Sequence, residues 1–261
     1  MSESALASTS ETVRVERSGS TWTLTLNRPE KRNALNADMV EALHAAVSLV
    51  HAEAGDVLVL RAEGKSFCAG FDFSGFEQAS EGDLLWRFVR IEQLLQTLQH
   101  SPCLTVALAQ GPVFGAGVDL LVSCKRRIAQ ADASFRMPGL KFGLVLGTRR
   151  LAALIGAQSA REIQEVAATL SASEALSRGL LSSVAEMSAW PDVVSESEAI
   201  AAALEPQVRA NLYRVLTTDP GAADLADLVH SVVGSAGGLG LKARIAKYLA
   251  PRASFQATKA N

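Results

Sequence analysis

Two stretches of unlike character predict a mixed α/β fold followed by a helical region. Up to about residue 140, strand-like apolar runs alternate with helical periods; beyond it, helical spacing dominates. Two of the runs, "DVLVLRA" (56–62) and "CLTVALAQG" (103–111), are apolar almost without a break. That is the pattern of parallel strands buried on both faces. Each run is followed by a glycine-containing turn, "CAGFD" (68–72) and "GPVFGAG" (111–117). Ligands of parallel sheets bind outside the carboxyl ends of the strands, so both turns belong to one candidate site.

The elements follow in order. "VRVERSGSTWTLTLN" (13–27) alternates apolar and polar residues around Ser18-Gly19 and reads as a β-hairpin. "RPEKRNAL" (28–35) is a charged loop. Asn36 is placed to cap a helix whose Met39, Leu43, Val47 and Val50 share one face, and Gly55 closes that region. After the first turn comes a polar loop, "EQASEGD" (77–83). Leu84, Phe88, Ile91, Leu95 and Leu98 then repeat at helical spacing. "PVFGAG" reads as a turn, "VDLLVSCKRR" (118–127) as a helix, and "RIAQADASFRMP" (127–138) as two short strands. "TRRLAALIG" (148–156) and "SAREIQEVAATL" (159–170) are helical. "SASEALSRGLL" (171–181) opens with a capping box, Ser171 with Glu174, and ends near Gly179. After Trp190-Pro191 the chain is helical, broken at "TTDPGA" (217–222) and "GSAGGLG" (234–240). No internal repeat recurs at a fixed period.

Composition narrows the function classes. A hydrophobic share of 48% in 261 residues supports a large core. The net charge of −2 offers no basic excess for nucleic acid or an anionic membrane. Three cysteines with no Cys-x-x-Cys pair, and four scattered histidines, argue against a disulfide framework or a metal site. Segment 104–124 is interrupted by Gln110, Pro112, three glycines and Asp119, so it reads as buried strand, loop and helix rather than a membrane span. Residues 1–11 are polar and read as a disordered tail without the features of a signal peptide. The expected layout is that tail, an α/β core over 12–190 and a helical region over 191–261 for oligomerisation, in a soluble cytoplasmic protein.

The turns carry the chemistry. Amides at a helix start are unpaired within the helix and partially positive. "GPVFGAGVDLL" presents Ala116 and Gly117 there, and "CAGFD" presents Phe71 after Gly70. Two such N–H groups aimed at one point would stabilise a negative oxygen, and loss of one such donor typically costs about 3–4 kcal/mol.

Four segments in order carry a resemblance: "LNRPEKRNALN" (26–36), "KSFCAGFDF" (65–73), "AQGPVFGAGVDLLVSC" (109–124) and "SASEALSRGLLSSV" (171–184). Together they resemble the crotonase superfamily of enoyl-CoA hydratases and isomerases. The resemblance spans about Trp22 to Val184. It implies a spiral of ββα units with a helical C-terminal trimerisation region. It implies an acyl-CoA substrate, no cofactor beyond that coenzyme A, and a homotrimer or dimer of trimers. Phe71 and Ala116 would donate the oxyanion N–H groups, and Asp119 falls where many hydratases place their first catalytic Glu. Arg28 and Arg32, with Lys31, would lie near CoA. Ala69, Gly70, Asp72, Phe73 and Gly115 flank the donors and are expected at the substrate.

The chain also departs from the pattern. Gly139 stands where hydratases place the second catalytic Glu, and the following glycine-rich turn is shortened to "LVLGT" (144–148). Hydration by the standard pair of acids is therefore in doubt, while enolate chemistry with one base stays open. Glu77, Asp83 and Glu92 are candidates to replace the missing acid. A non-catalytic acyl-CoA binding or assembly protein, and another reaction of the superfamily such as thioester or C–C bond hydrolysis, remain alternatives. A nicotinamide enzyme fits poorly, because "GAGVDL" lacks the third glycine of the dinucleotide fingerprint. Asp72 is read as a loop brace and Cys68 as a packing residue.

Overall fold

The structure, a computed structural model, describes residues 5–217, 221–233 and 240–250. Ala5–Thr9 (β1) pairs antiparallel with Val13–Ser18 (β2), which pairs antiparallel with Thr21–Leu26 (β3). Part of the expected tail is thus an edge strand; residues 1–4 lie outside the described residues. From β3 the sheet runs parallel through Val57–Ala62 (β4) and Leu104–Ala109 (β5). Pro112–Phe114 (β6) then leaves it to begin a second sheet. Arg126–Ala129 (β7) returns beside β5. Ser134–Arg136 (β8) pairs parallel with β6, and Thr169–Ser171 (β9) pairs antiparallel with β8. Ser183–Val184 (β10) extends the main sheet beside β7.

The unbroken apolar runs have the expected cause. Along β4, Leu58 and Leu60 enter one core while Val57 and Val59 enter another on the opposite face. Ala37–Ala52 (α1), Glu81–Gln99 (α2) and Ala116–Val122 (α3) supply buried side chains to the first core. Asn36 caps α1 by accepting from Met39 N–H at 3.0 Å, and all four residues of the expected face are buried. The polar loop is shorter than expected, because Ser80 and Asp83 form a capping box that starts α2. "PVF" is a strand rather than part of a turn, since β8 supplies it with backbone partners.

Thr148–Ile155 (α4), Ala157–Val166 (α5) and Ala172–Ser177 (α6) follow, α6 with its expected capping box. Trp190–Ala202 (α7) starts at Trp190-Pro191, with Pro in the first turn, where its missing N–H costs nothing. Trp190 and Ala201 close the second core. Pro206–Leu216 (α8), Gly221–Val233 (α9) and Leu241–Leu249 (α10) complete the helical region. Of its expected breaks, residues 218–220 and 234–239 lie outside the described residues. Among the described residues no helix is long and apolar enough to cross a membrane.

Candidate active site

The two chain exits from β4 and β5 are stitched together. Phe67 N–H donates to Gln110 O at 2.8 Å and Phe114 N–H to Cys68 O at 2.9 Å. Gln110 Nε2 donates to Ala62 O and Gly64 O, tying the ends of both strands. This approach leaves no space for side chains at two positions. A Cβ on Gly117 would meet Cys68 O at 2.3 Å. One on Gly70, whose φ is +86°, would meet Phe114 O at 2.5 Å and Ala116 N at 3.2 Å. Glycine at 70 therefore serves the contact between the turns as well as the bend.

The amides beyond these contacts differ from their neighbours. Asp72 N–H donates to Leu35 O, Gly115 N–H to Arg136 O and Asp119 N–H to Gly115 O. Neither Phe71 N–H nor Ala116 N–H donates to a backbone carbonyl among the described residues. Both residues line one cavity of about 500 Å³. The Phe71 ring is locked: it stacks on Phe88 with centroids 4.2 Å apart, and the Arg87 guanidinium lies 4.2 Å from its centroid.

Asp119 lies in the first turn of α3, lines the same cavity and is only 2% exposed. No described group donates a hydrogen bond to its Oδ1. That oxygen rests against Gly147, the residue before α4, where φ is +64°. Burial pushes the carboxyl well above the ordinary Asp value; the Arg150 guanidinium opposes the shift and the Glu92 carboxylate adds to it. Arg150 is already engaged. It forms a fully buried pair with both oxygens of Glu92, donates to Gln99 Oε1 at 2.6 Å, and lies 3.4 Å from Asp224 Oδ2.

The cavity wall beyond Asp119 is apolar, built from Phe88, Met137, Phe142, Leu144 and Leu146. Gly139 lines it without a carboxylate. None of the three candidate replacements does so. Glu77 and Asp83 are exposed, Asp83 holding the cap of α2, and Glu92 is held by Arg150. Besides Asp119, the lining acids are Glu30, exposed, and Asp72.

Of the expected substrate residues, Arg32, Ala69, Asp72, Phe73 and Gly115 line the cavity, as does Lys31. Gly70 and Arg28 do not. Gly70 faces the neighbouring turn. Arg28 donates to Ala34 O at 2.7 Å and pairs with Asp72 at 3.0 Å, so its charge is spent on bracing two loops. For Asp72, burial acts upward, but hydrogen bonds from Ser74 and Arg28 outweigh it and hold the carboxyl below its ordinary value. The buried Asn33 strengthens the same brace: its amide donates to Glu63 O and Ser66 O, and its Oδ1 accepts from Arg28 N–H.

Comparison with known proteins identifies the family. The family model for enoyl-CoA hydratase/isomerase matches residues 16–218. The chain belongs to the enoyl-CoA hydratase/isomerase family. It is 34% identical over 203 residues to the probable enoyl-CoA hydratase echA6 of Mycobacterium tuberculosis, covering 76% of this chain and 79% of that one. It is 32% identical over 198 residues to the enoyl-CoA isomerase/hydratase fer4 of Mycosarcoma maydis, covering 71% and 72%. A crystal structure from Bordetella parapertussis, provisionally described as an enoyl-CoA hydratase/isomerase, superposes with a TM-score of 0.89 at 49% identity, covering 93% of this chain and 100% of that chain. The fold is that of the crotonase superfamily.

Four residues of this enoyl-CoA hydratase/isomerase family member carried no local signal. Gln164 is buried in the cavity wall. Arg136 also lines the cavity; its Nε donates to Ala167 O at 3.0 Å. Arg150 forms the buried pair behind Asp119. Tyr248 of α10 lines the mouth and packs against Phe142 with centroids 5.1 Å apart. Gln164, Arg150 and Tyr248 stand on helices, and Arg136 on β8.

Proposed function

We propose that this protein moves a proton on an acyl-CoA thioester through an enolate, as an enoyl-CoA isomerase does. The observation that carries the reading is one buried carboxylate, Asp119, whose Oδ1 has no hydrogen-bond partner among the described residues, sharing a largely apolar cavity with two backbone N–H groups that donate to no carbonyl among those residues. The thioester oxygen accepts from Phe71 N–H and Ala116 N–H. Asp119 takes a proton from the carbon next to the thioester, and the electron pair of that C–H bond moves toward the thioester oxygen. Asp119 then returns the proton to a carbon further along, and the double bond shifts. One group both removes and delivers the proton, so no second acid is needed. A raised proton affinity suits that double duty near neutral pH.

The exposed Lys31 and Arg32 at the cavity mouth are suited to the phosphates of CoA. The reading requires no cofactor beyond the coenzyme A of the substrate. Copies of the chain would meet through the apolar surface of α7, α8 and their connection, where Ile200, Leu204, Val208, Leu212, Val215 and Leu216 are exposed, as a homotrimer or a dimer of trimers.

The test is mass spectrometry and NMR of enoyl-CoA thioesters incubated with the protein in D₂O. Double-bond migration with deuterium uptake is the expected result. Net addition of water would establish a hydratase. Tight binding with neither change would leave an acyl-CoA binding protein.

A further inference from the structure

Gln164 is out of place in the cavity described above. Among the described residues lining that cavity, it is the only buried side chain that hydrogen-bonds without bearing a charge. It stands on α5 and lines the same cavity as Leu144, Leu146 and Phe142. Its Nε2 donates to Thr148 Oγ1 at 3.3 Å, a long bond, and its Oε1 has no partner among the described residues. An amide end with no protein partner in an otherwise apolar wall is free to take up a polar group of a guest.

We propose that the acyl group this site takes carries a hydroxyl beyond its third carbon, and that Gln164 receives it. The inference rests on the acyl-CoA reading above. Position follows from the wall. Asp119 rests on Gly147, and Gln164 bonds to Thr148, the next residue. Gln164 comes from α5, and its side chain has no bond to either of the two turns that present Phe71 and Ala116. Its partner is thus placed on the acyl chain rather than at the thioester. Chemistry follows from the amide. An O–H group both donates and accepts, so it pairs with Gln164 whichever way the amide lies, whereas a ketone pairs only with the NH₂. A carboxylate would add negative charge to a cavity already lined by Asp119, Asp72 and Glu30.

The test is isothermal titration calorimetry with hexanoyl-CoA and its analogues hydroxylated at the third, fifth or sixth carbon. Unmodified protein is compared with Gln164→Leu and with Gln164→Met, the second serving if the first fails to fold. The fifth- or sixth-carbon analogue is expected to bind roughly 10-fold or more tightly than hexanoyl-CoA. Either variant should erase that preference while binding hexanoyl-CoA at least as well as the unmodified protein. Equal affinity for plain and hydroxylated chains would overturn the proposal. So would a preference for the third-carbon analogue alone, or a preference that survives in the variants. Failure of every thioester to bind folded protein would instead bring down the acyl-CoA reading, and this inference with it.

Discussion

Asp119 and Gly147 share one corner of the cavity: a Cβ on residue 147 would stand 1.9 Å from Asp119 Oδ1. The shortened turn before α4 thus makes the space in which the buried carboxylate sits. Gly147→Ala should push Asp119 aside and strain a backbone whose φ is +64°. We expect turnover to fall by about 10²-fold, the scale set by a misplacement of about 1 Å. Circular dichroism should show the fold retained. Unchanged turnover would separate Asp119 from the chemistry.

Asp119→Asn should abolish most turnover, by about 10²-fold or more, while acyl-CoA binding measured by calorimetry persists. It should also change how stability depends on pH. The proton affinity of Asp119 is raised on folding, so its contribution to stability is fully present below the ordinary value of 3.8 and is lost as pH rises through the raised one. The variant lacks that loss. Its Tm relative to the unmodified protein should therefore climb as pH is raised from 4 across this window. A constant offset would contradict the buried placement of the carboxyl.

Glu92 keeps Arg150 occupied behind Asp119. Glu92→Gln removes a negative charge and leaves the guanidinium compensated by Asp224 alone among the described residues. Both effects lower the proton affinity of Asp119, so the acid limb of the kcat/KM profile should move to lower pH, by roughly one unit or more. Breaking a buried pair also costs about 3–5 kcal/mol of stability, which denaturant unfolding would register. A limb that stays in place would remove the pair from the electrostatics of the site.

Gly70→Ala places a Cβ 2.5 Å from Phe114 O and 3.2 Å from Ala116 N. The two turns must then separate, and the two free amides with them. Turnover should fall by about 10²-fold or more, with a smaller loss in binding. Equal losses in both would mean that the amides serve binding alone.

Val215 and Leu216 are 72% and 71% exposed on α8. If that face joins copies of the chain, replacing both by Asp should release monomers, read by mass photometry. A unmodified chain that is itself monomeric would contradict the proposed assembly.

The parts of this fold legible in the sequence were those with a local cause. The runs at 57–62 and 104–109 announce strands because both faces are buried, and Asn36 and Ser171 announce helix starts because capping is a one-turn interaction. The meeting of the two turns was legible for a related reason: it depends on glycine placement at Gly70 and Gly117, not on side chains. Roles that depend on distant packing were hidden. Gln158 and Gln164 lie on the same helix, yet one bonds to the exposed Glu162 and the other faces a cavity built from segments far apart in the chain. Arg28 looked like a ligand contact because its partner, Asp72, is 44 residues away in the chain.

The central claim is that Asp119 exchanges a proton with an acyl thioester activated by the Phe71 and Ala116 amides. The most direct measurement is deuterium incorporation from D₂O into the acyl chain of a bound enoyl-CoA, followed by NMR for the unmodified protein and Asp119→Asn. The account predicts incorporation next to the thioester carbonyl with the unmodified protein and its loss in the variant. Incorporation at the same rate in both, or none in a thioester that binds tightly, would contradict it.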